Sequence, residues 1–173
     1  MKLDRSFYER DVLIVAPELI GKSIIRNTPT GNTSYLINEV EAYRGSEDEA
    51  SHARFGKTSW NAVMFATGGL LYVYFIYGMH WMLNIVTGKS GQAQAVLIRG
   101  VSAISGPGRI ARTLGIDRSF YREDLVSSER IWIEDHSIFP EILQQPRIGI
   151  NYAGEPWKSQ PWRYIMVPSQ QIS

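Results

Sequence analysis

The sequence predicts a single α+β domain, residues 1–173, built around a largely antiparallel sheet. Its length suits one domain with a substantial core, and apolar residues make up 44% of the chain. Strand-like apolar runs are separated by short turn-forming segments, whereas helix-like runs are few. No internal repeat, low-complexity tract or Gly/Ser-rich linker divides the chain, so one domain accounts for all of it.

The first part of the chain predicts one helix followed by two strands. The turn-forming residues 28–32 separate the two strands. In order, the predicted elements are a helix over residues 12–20 stopped by Gly21, strands over 22–26 and 35–43, and a loop over 44–61.

The middle of the chain predicts a β-hairpin rich in aromatic residues. Residues 70–76 carry β-branched and aromatic side chains, Tyr77-Gly78-Met79-His80 forms a turn, and residues 81–87 return as the partner strand. Downstream, the predicted elements are a strand over 93–99, a helix over 109–114 opened by Gly106-Pro107-Gly108 and stopped by Gly115, and strand-like runs around 131–133, 147–151 and 164–167.

Composition and charge narrow the possible function classes. The chain has no cysteine, which excludes a disulfide framework and a thiolate metal site. No apolar run approaches the roughly 20 residues that span a bilayer, and the N-terminus predicts no signal peptide, so we expect a cytoplasmic protein.

Residues 51–116 hold six Lys or Arg and no Asp or Glu. That stretch suits either a phosphate-facing surface or an apolar core region that lacks acids by chance.

Two groups of polar residues are candidates for chemistry, and each has a second interpretation. Glu39, Glu41 and Tyr43 share one face of the predicted strand. That face is either the solvated side of a sheet or a place where a carboxylate is retained for function. His52 follows an acidic run, where a metal ion would find carboxylates, but the spacing matches no strong ligand pattern. A surface loop histidine is the other interpretation.

The aromatic hairpin is open to two interpretations as well. Tyr72 and Tyr74 lie in a strand, where aromatic side chains usually fill a core. Tyr77 stands at the turn before Gly78, a position that turn chemistry does not favour for an aromatic residue. An exposed aromatic side chain at that tip suits insertion between stacked bases.

Several runs together resemble the alkyladenine (3-methyladenine) DNA glycosylase family in its bacterial type. The most specific are Glu41-Ala42-Tyr43, Glu47-Asp48-Glu49-Ala50-Ser51-His52 and the Tyr-Val-Tyr-Phe-Ile-Tyr-Gly-Met run that starts at Tyr72. Gly106-Pro107-Gly108 and Pro146-Arg147-Ile148-Gly149-Ile150 follow in the family's order, so the resemblance covers nearly the whole chain. It implies a curved sheet with a protruding β-hairpin, similar to the C-terminal domain of formyltransferases.

The resemblance also implies a role for each matching residue at the reaction centre. Glu41 matches the general base that activates the attacking water, and Arg99 matches the arginine that helps to hold that water and the carboxylate. Asn84 matches the residue that crowds the amino group of a normal guanine and so excludes it. The residues that match the walls around the flipped base are Tyr43, His52 and Tyr74.

For DNA contacts, the resemblance points to the hairpin. Tyr77 matches the side chain that enters the minor groove and fills the gap left by the flipped base, and Met79 and His80 match neighbours that contact DNA. The sequence departs from the family pattern at Ser46 and at residues 58–60 and 66–69. These departures affect the expected loop contacts to DNA and leave the expected chemistry unchanged.

The predicted function is base-excision repair by a monofunctional DNA glycosylase. The enzyme would flip 3-methyladenine, 7-methylguanine or hypoxanthine out of double-stranded DNA and hydrolyse the N-glycosidic bond with water activated by Glu41. We expect no metal, no cofactor, no membrane partner, and a monomer that acts at the bacterial nucleoid. A non-catalytic nucleic-acid-binding module is the alternative function. A metal-dependent hydrolase that uses His52 is a third.

Overall fold

The computed structural model describes residues 1–168 and gives an α+β fold dominated by one sheet of nine strands. The end of the predicted domain, residues 169–173, lies outside the described residues. The helices are α1 (Arg5–Tyr8), α2 (Val12–Leu19) and α3 (Pro107–Thr113), with one-turn 3₁₀ helices at His52–Phe55, Ala62–Phe65, Arg118–Phe120 and Trp157–Ser159. The strands are β1 (Ser23–Thr28), β2 (Gly31–Arg44), β3 (Leu71–Ile76), β4 (His80–Thr87), β5 (Gln94–Val101), β6 (Ile104–Ser105), β7 (Ile131–Glu134), β8 (Ile142–Gln145) and β9 (Arg163–Met166).

The sheet runs in the order β3-β4-β5-β2-β1-β7, with β6 added beside β5 and the β8–β9 pair added beside β2. Every strand pair within residues 1–168 is antiparallel, which confirms the predicted sheet type. The long strand β2 is the centre of this arrangement, because its first part pairs with β1 and its second part with β5 and β9. Strands far apart in sequence therefore meet along β2.

A β-bulge in β2 changes which residues of the strand point to the same face, compared with the simple alternation expected from the sequence. The pairing of β2 with β5 shifts register between Ile37 and Val40. Ile37 consequently packs in the same buried cluster as Val40 instead of sharing a face with Glu41. Gly100 lies opposite the bulge, where an added Cβ would stand 2.9 Å from the Cβ of Glu39. The close approach of the two strands thus requires a residue without a side chain.

The two faces of the sheet have different coverings. On one face, apolar strand residues form a buried cluster with Val15 and Leu19 of α2 and Ile110 of α3. Burial of apolar area contributes about 25 cal/mol per Å², so this cluster is the main source of stability. The α-helices therefore cover one face, whereas the 3₁₀ helices His52–Phe55 and Ala62–Phe65 cover part of the other face.

Most of the predicted elements are confirmed, including the helix α2 and the hairpin of β3 and β4. The predicted strand at 147–151 is wrong. There the backbone N–H of Ile148 donates to a side-chain carboxylate, and Gly149 has a left-handed φ of 74°, so the segment cannot pair as a strand. The short strands β6 and β8 carry no clear alternation and are not predicted from the sequence.

The turn between β3 and β4 is strongly exposed. Tyr77 has 85% of its surface accessible and Met79 has 63%. That this hairpin protrudes from the domain stays a prediction. The curvature of the sheet and its likeness to the C-terminal domain of formyltransferases stay predictions. No helix within the described part of the chain has the length and apolarity needed to cross a membrane.

Candidate active site

The floor of the candidate site is a row of residues that crosses four strands. Tyr72 of β3 pairs with Asn84 of β4, Asn84 pairs with Leu97 of β5, and Leu97 pairs with Glu41 of β2. Directly opposed residues of antiparallel strands point to the same face of a sheet. The four side chains therefore share the face opposite the core helices, although the sequence separates them widely.

Glu41 is fully buried at one end of this row, with 0% of its surface exposed. Its Oε1 accepts a hydrogen bond from Arg99 Nη1 at 3.1 Å and one from the Tyr43 hydroxyl at 3.5 Å. Its Oε2 accepts the backbone N–H of Ile148 at 2.6 Å. Burial raises the pKa of Glu41 above its ordinary value, and Arg99 and the Ile148 N–H partly oppose that rise. The carboxylate is thus firmly held and shielded from bulk water.

Arg99 joins Glu41 to a second carboxylate. Its Nε lies 3.5 Å from Glu39 Oε1, and Glu39 in turn accepts a hydrogen bond from Arg163 Nη1 at 3.1 Å. Carboxylates and guanidinium groups therefore alternate across β2, β5 and β9. Arg99 is therefore oriented by its charge-assisted hydrogen bond to Glu41 and by the ion-pair attraction of Glu39, to which its Nε makes no hydrogen bond.

An aromatic cluster forms the opposite side of the site. The Nδ1 of His52 lies 3.0 Å from the Tyr72 hydroxyl. The His52 ring meets the Tyr74 ring with centroids 4.6 Å apart and the Trp60 ring at 5.1 Å, both in edge-to-face contact. Burial lowers the pKa of His52, and the positive charge of Arg54 lowers it further. His52 is therefore uncharged at neutral pH.

Between the two sides lies a cavity of about 450 Å³, a size typical of small-molecule sites. The predicted site residues that line it are Tyr43, His52, Tyr74, Tyr77, Asn84 and Arg99. Asn84 donates its side-chain amide to the Tyr72 carbonyl at 3.2 Å, which fixes its orientation. Glu41 itself does not line the cavity. It lies behind Arg99 and Ile148, which line the cavity and donate hydrogen bonds to its carboxylate.

The predicted DNA-contact residues occupy the hairpin beside the cavity. Tyr77 lines the mouth and has a left-handed φ of 54°, which is uncommon for a residue other than glycine. Met79 is exposed on the same turn and does not line the cavity. His80 begins β4 and packs against Gly108 of α3, where an added Cβ would stand 2.9 Å from the His80 ring. The structure therefore brings Tyr77 to the site and leaves Met79 and His80 next to it.

Four further residues of the site carry no assignment from the sequence. Tyr72 has the same strand parity as Tyr74, and that alternation is the signal by which it could have been found. Ile148 contributes its backbone N–H, for which a side-chain pattern carries no signal. Trp60 and Tyr152 come from loops, and their positions depend on tertiary contacts.

The acidic loop before His52 is committed to other contacts. Asp48 forms a buried ion pair with Arg147 at 2.6 Å, and Glu49 accepts the backbone N–H of Gly154 at 2.7 Å. Across residues 1–168, no three His, Asp or Glu side chains are grouped closely enough to share a metal ion. The carboxylates of this loop therefore organise the chain around the cavity.

Comparison with known proteins identifies the family. The sequence model of the methylpurine-DNA glycosylase family matches residues 6–105 and 101–170. Similar proteins occur in Methanocella arvoryzae (40% identity; 99% of this chain and 95% of the relative), Desulfitobacterium hafniense (38%; 99% and 98%) and Legionella pneumophila (39%; 99% and 98%), each named "Putative 3-methyladenine DNA glycosylase". Since both the family match and the relatives extend over nearly the whole chain, the protein belongs to the methylpurine-DNA glycosylase family and is a DNA N-glycosylase.

Proposed function

We propose that this glycosylase removes 3-methyladenine, 7-methylguanine and hypoxanthine from double-stranded DNA by hydrolysis of the N-glycosidic bond. One observation carries the proposal: a fully buried carboxylate, Glu41, lies beside a cavity whose opposite side is aromatic. A flipped purine needs a flat apolar slot, and its cleavage needs a base for water next to that slot. The names of the relatives support 3-methyladenine as one of the substrates.

Glu41 is the proposed general base. Its raised pKa makes it a better proton acceptor near neutral pH than an ordinary glutamate. Its negative charge also stabilises the oxocarbenium-like sugar that forms as the bond breaks. Arg99 orients this carboxylate through the 3.1 Å hydrogen bond and helps to hold the water. A cationic purine is already a good leaving group, so one carboxylate is sufficient for such lesions.

The proposed walls around the flipped base are Tyr43, His52 and Tyr74. Stacking on an aromatic side chain contributes about 1–3 kcal/mol per base. Cation–π attraction adds roughly 0.5–2 kcal/mol when the base carries a positive charge, as 3-methyladenine and 7-methylguanine do. Because the lowered pKa keeps His52 neutral, its imidazole does not repel such a base. The cavity therefore favours cationic purines over normal ones.

Asn84 is the proposed filter against normal guanine. Its side chain is only 4% exposed and is fixed by the hydrogen bond to the Tyr72 carbonyl. A fixed amide cannot move aside when the exocyclic amino group of guanine occupies the same space. Adenine-type bases and hypoxanthine lack this 2-amino group and avoid the clash. 7-methylguanine carries it and meets the same crowding, so its binding relies on the attraction between its positive charge and the aromatic walls.

Tyr77 is proposed to enter the DNA stack where the flipped base was. Its side chain is 85% exposed at the turn between β3 and β4, so the ring is available for contact with DNA. Unstacking a base costs a few kcal/mol, and an inserted side chain offsets part of that cost. Met79 and His80 contact the DNA beside it.

Water is the proposed nucleophile, so the enzyme is monofunctional. Among the described residues that line the cavity, none is a lysine. The buried Lys22 lines a different groove and forms an ion pair with Asp135 at 3.0 Å. Without an amine beside the sugar, no imine to the DNA forms and the strand is not cut.

The direct test is base release from duplexes that contain one defined lesion, with chelator present. The wild-type protein is expected to release 3-methyladenine, 7-methylguanine and hypoxanthine. Glu41→Gln is expected to bind the lesion duplex normally and to lose nearly all base release. Glu129→Gln, which changes an exposed carboxylate outside the site, is the matched control and retains full activity.

Each contrary result identifies a different error. Full activity of Glu41→Gln would show that Glu41 is not the general base. Lesion binding by the wild-type protein without base release would favour the non-catalytic module. Loss of activity with chelator would favour the metal-dependent hydrolase that uses His52. A covalent protein–DNA adduct trapped by borohydride would show that an amine, not water, attacks the sugar.

A further inference from the structure

A fully buried ion pair lies behind the cavity and has no part in the proposed function so far. Arg147 Nη1 donates to Asp48 Oδ2 at 2.6 Å and Nη2 donates to Oδ1 at 3.0 Å, and both side chains are 0% exposed. A bidentate pair of this kind constrains the relative orientation of its partners strongly. Because well-packed apolar residues are often as stable as a buried ion pair, stability alone does not explain why it is present.

The guanidinium of Arg147 is also held by rings and carbonyls. The rings of Tyr43 and Trp162 each have their centroid 4.9 Å from its central carbon. Nη1 donates to the Ala42 carbonyl at 3.0 Å, and Nη2 donates to the Trp157 carbonyl at 3.2 Å. Tyr43, a proposed wall of the base slot, therefore rests directly on Arg147.

The partner carboxylate fixes the chain that leads to the aromatic side. Asp48 accepts the backbone N–H of Arg44 and that of Ala50, each at 3.0 Å. Ala50 lines the cavity, and His52 follows two residues later. The position of the His52 loop thus depends on the same ion pair as the position of Tyr43.

The residue after Arg147 contacts the proposed base directly. The backbone N–H of Ile148 donates to Glu41 Oε2 at 2.6 Å. The left-handed φ of 74° at Gly149 then turns the chain along the cavity mouth. Because Arg147 is clamped by the contacts above, the N–H of the next residue is aimed at the carboxylate.

We propose that Arg147, paired with Asp48, is a positioning residue for the glycosylase reaction. It holds the ring of Tyr43 and the N–H of Ile148 where Glu41 and the flipped base require them. The inference rests on the proposed role of Glu41. Arg147 itself touches neither base nor water and acts through Tyr43 and Ile148.

Removal of the Arg147 charge is expected to change the pKa of Glu41. The charged and titratable groups that surround Glu41 are Arg99 of β5, Tyr43 and Glu39 of β2, Arg163 of β9, Tyr74 of β3, and Arg147 and Tyr152 of the last loops. The positive charge of Arg147 opposes the burial that raises the pKa of Glu41. A neutral side chain at position 147 therefore lets the Glu41 pKa rise further, whereas lysine keeps the charge and loses the bidentate geometry.

The test compares Arg147→Lys and Arg147→Gln with the control Arg130→Lys. Arg130 pairs with Glu123 at 2.5 Å and stacks on the Phe120 ring at 4.0 Å, so it has the same kinds of contact but touches neither Glu41 nor Tyr43. For each protein we would measure the melting temperature, the Kd for a lesion duplex and the pH profile of single-turnover base release. A carboxyl-carbon NMR titration would follow Glu41 itself.

Arg147→Lys is expected to slow base release on the order of 10- to 100-fold with a much smaller change in Kd, since misplaced reacting groups lose rate. Arg147→Gln is expected in addition to move the acid limb of the rate and the NMR titration of Glu41 to higher pH. Arg130→Lys is expected to change only the melting temperature.

A lower melting temperature with an unchanged rate and an unchanged Glu41 titration would overturn the positioning role. If Arg147→Gln does not fold, Arg147→Lys decides the matter, because a wild-type rate in that variant also overturns the proposal. The NMR titration separates this inference from the proposed function. If the wild-type protein releases no base, the function fails, whereas the effect of Arg147 on Glu41 is still measured.

Discussion

The two sides of the cavity are built from opposite kinds of residue. The ionic side consists of Glu39, Glu41, Asp48, Arg99 and Arg147, and the aromatic side consists of His52, Tyr72, Tyr74 and Trp60. On the ionic side, each charge is paired within hydrogen-bonding or ion-pair distance. On the aromatic side, the lowered pKa of His52 and the raised pKa values of Tyr72 and Tyr74 leave no charge near neutral pH.

This difference indicates how chemistry and binding are divided between the two sides of the cavity. A charge is costly to bury unless it is paired, so buried charges are locked in one geometry and suit a chemical step that needs fixed distances. Aromatic rings bind a partner through the apolar area that the contact buries, and they can stay partly exposed to solvent, as Trp60 is at 50%. We therefore expect changes on the ionic side to alter rate and changes on the aromatic side to alter binding.

The largest effect is expected from Glu41→Gln on the ionic side. Loss of a general base lowers the rate on the order of 10²–10⁴-fold, while the Kd for the lesion duplex stays near that of the wild type. Single-turnover base release at saturating enzyme and a fluorescence binding titration measure the two quantities separately. A Kd that weakens as much as the rate falls would refute the division between the two sides.

On the aromatic side, Tyr74→Leu removes a stacking face. Binding of the lesion duplex is expected to weaken by about 1–3 kcal/mol, with a further loss of roughly 0.5–2 kcal/mol for 7-methylguanine compared with hypoxanthine. Binding titrations with both duplexes provide the comparison. Phe139→Leu, an aromatic residue 87% exposed in a different groove, is the control. Equal losses for both lesions would mean that the pocket does not select by charge.

The pH profile distinguishes the two sides by their charge. With Glu41 as the proposed base, we expect activity to require its ionised form, so the rate falls as pH drops through its pKa, by about tenfold per unit below that point. Because burial raises this pKa, the acid limb lies above the ordinary value of 4.5. Arg99→Gln removes an opposing positive charge and moves the limb higher, whereas His52→Gln leaves it in place. A limb at or below 4.5 would contradict the burial effect on Glu41.

The smallest effect is expected from Trp60→Ala. An edge-to-face aromatic contact is worth about 0.5–1.5 kcal/mol, so lesion binding weakens by roughly tenfold at most. His52 also becomes more exposed, and its pKa rises toward the ordinary 6.5. An imidazole NMR titration measures that rise, with Trp132→Ala on β7 as the control. An unchanged His52 titration would mean that Trp60 does not shield the ring.

Local patterns in the sequence were sufficient to predict the strands that carry the site. Two-residue alternation and turn-forming residues act over short distances, so the strand at 35–43 and the hairpin at 70–87 follow from neighbouring residues alone. The same locality explains the errors. The bulge near Ile37 and the irregular segment at 147–151 depend on partners elsewhere in the chain.

By itself, the sequence determined the fold class, the family resemblance and six of the residues that line the cavity, because side-chain identity and spacing record them. Only the tertiary structure decided that Glu41, Leu97, Asn84 and Tyr72 form one row, since strand register is set by long-range pairing. It also decided that Arg147 clamps Asp48 and that a backbone N–H of Ile148 holds Glu41. A backbone donor is common to every residue but proline, so its use at one position follows only from where the chain is placed.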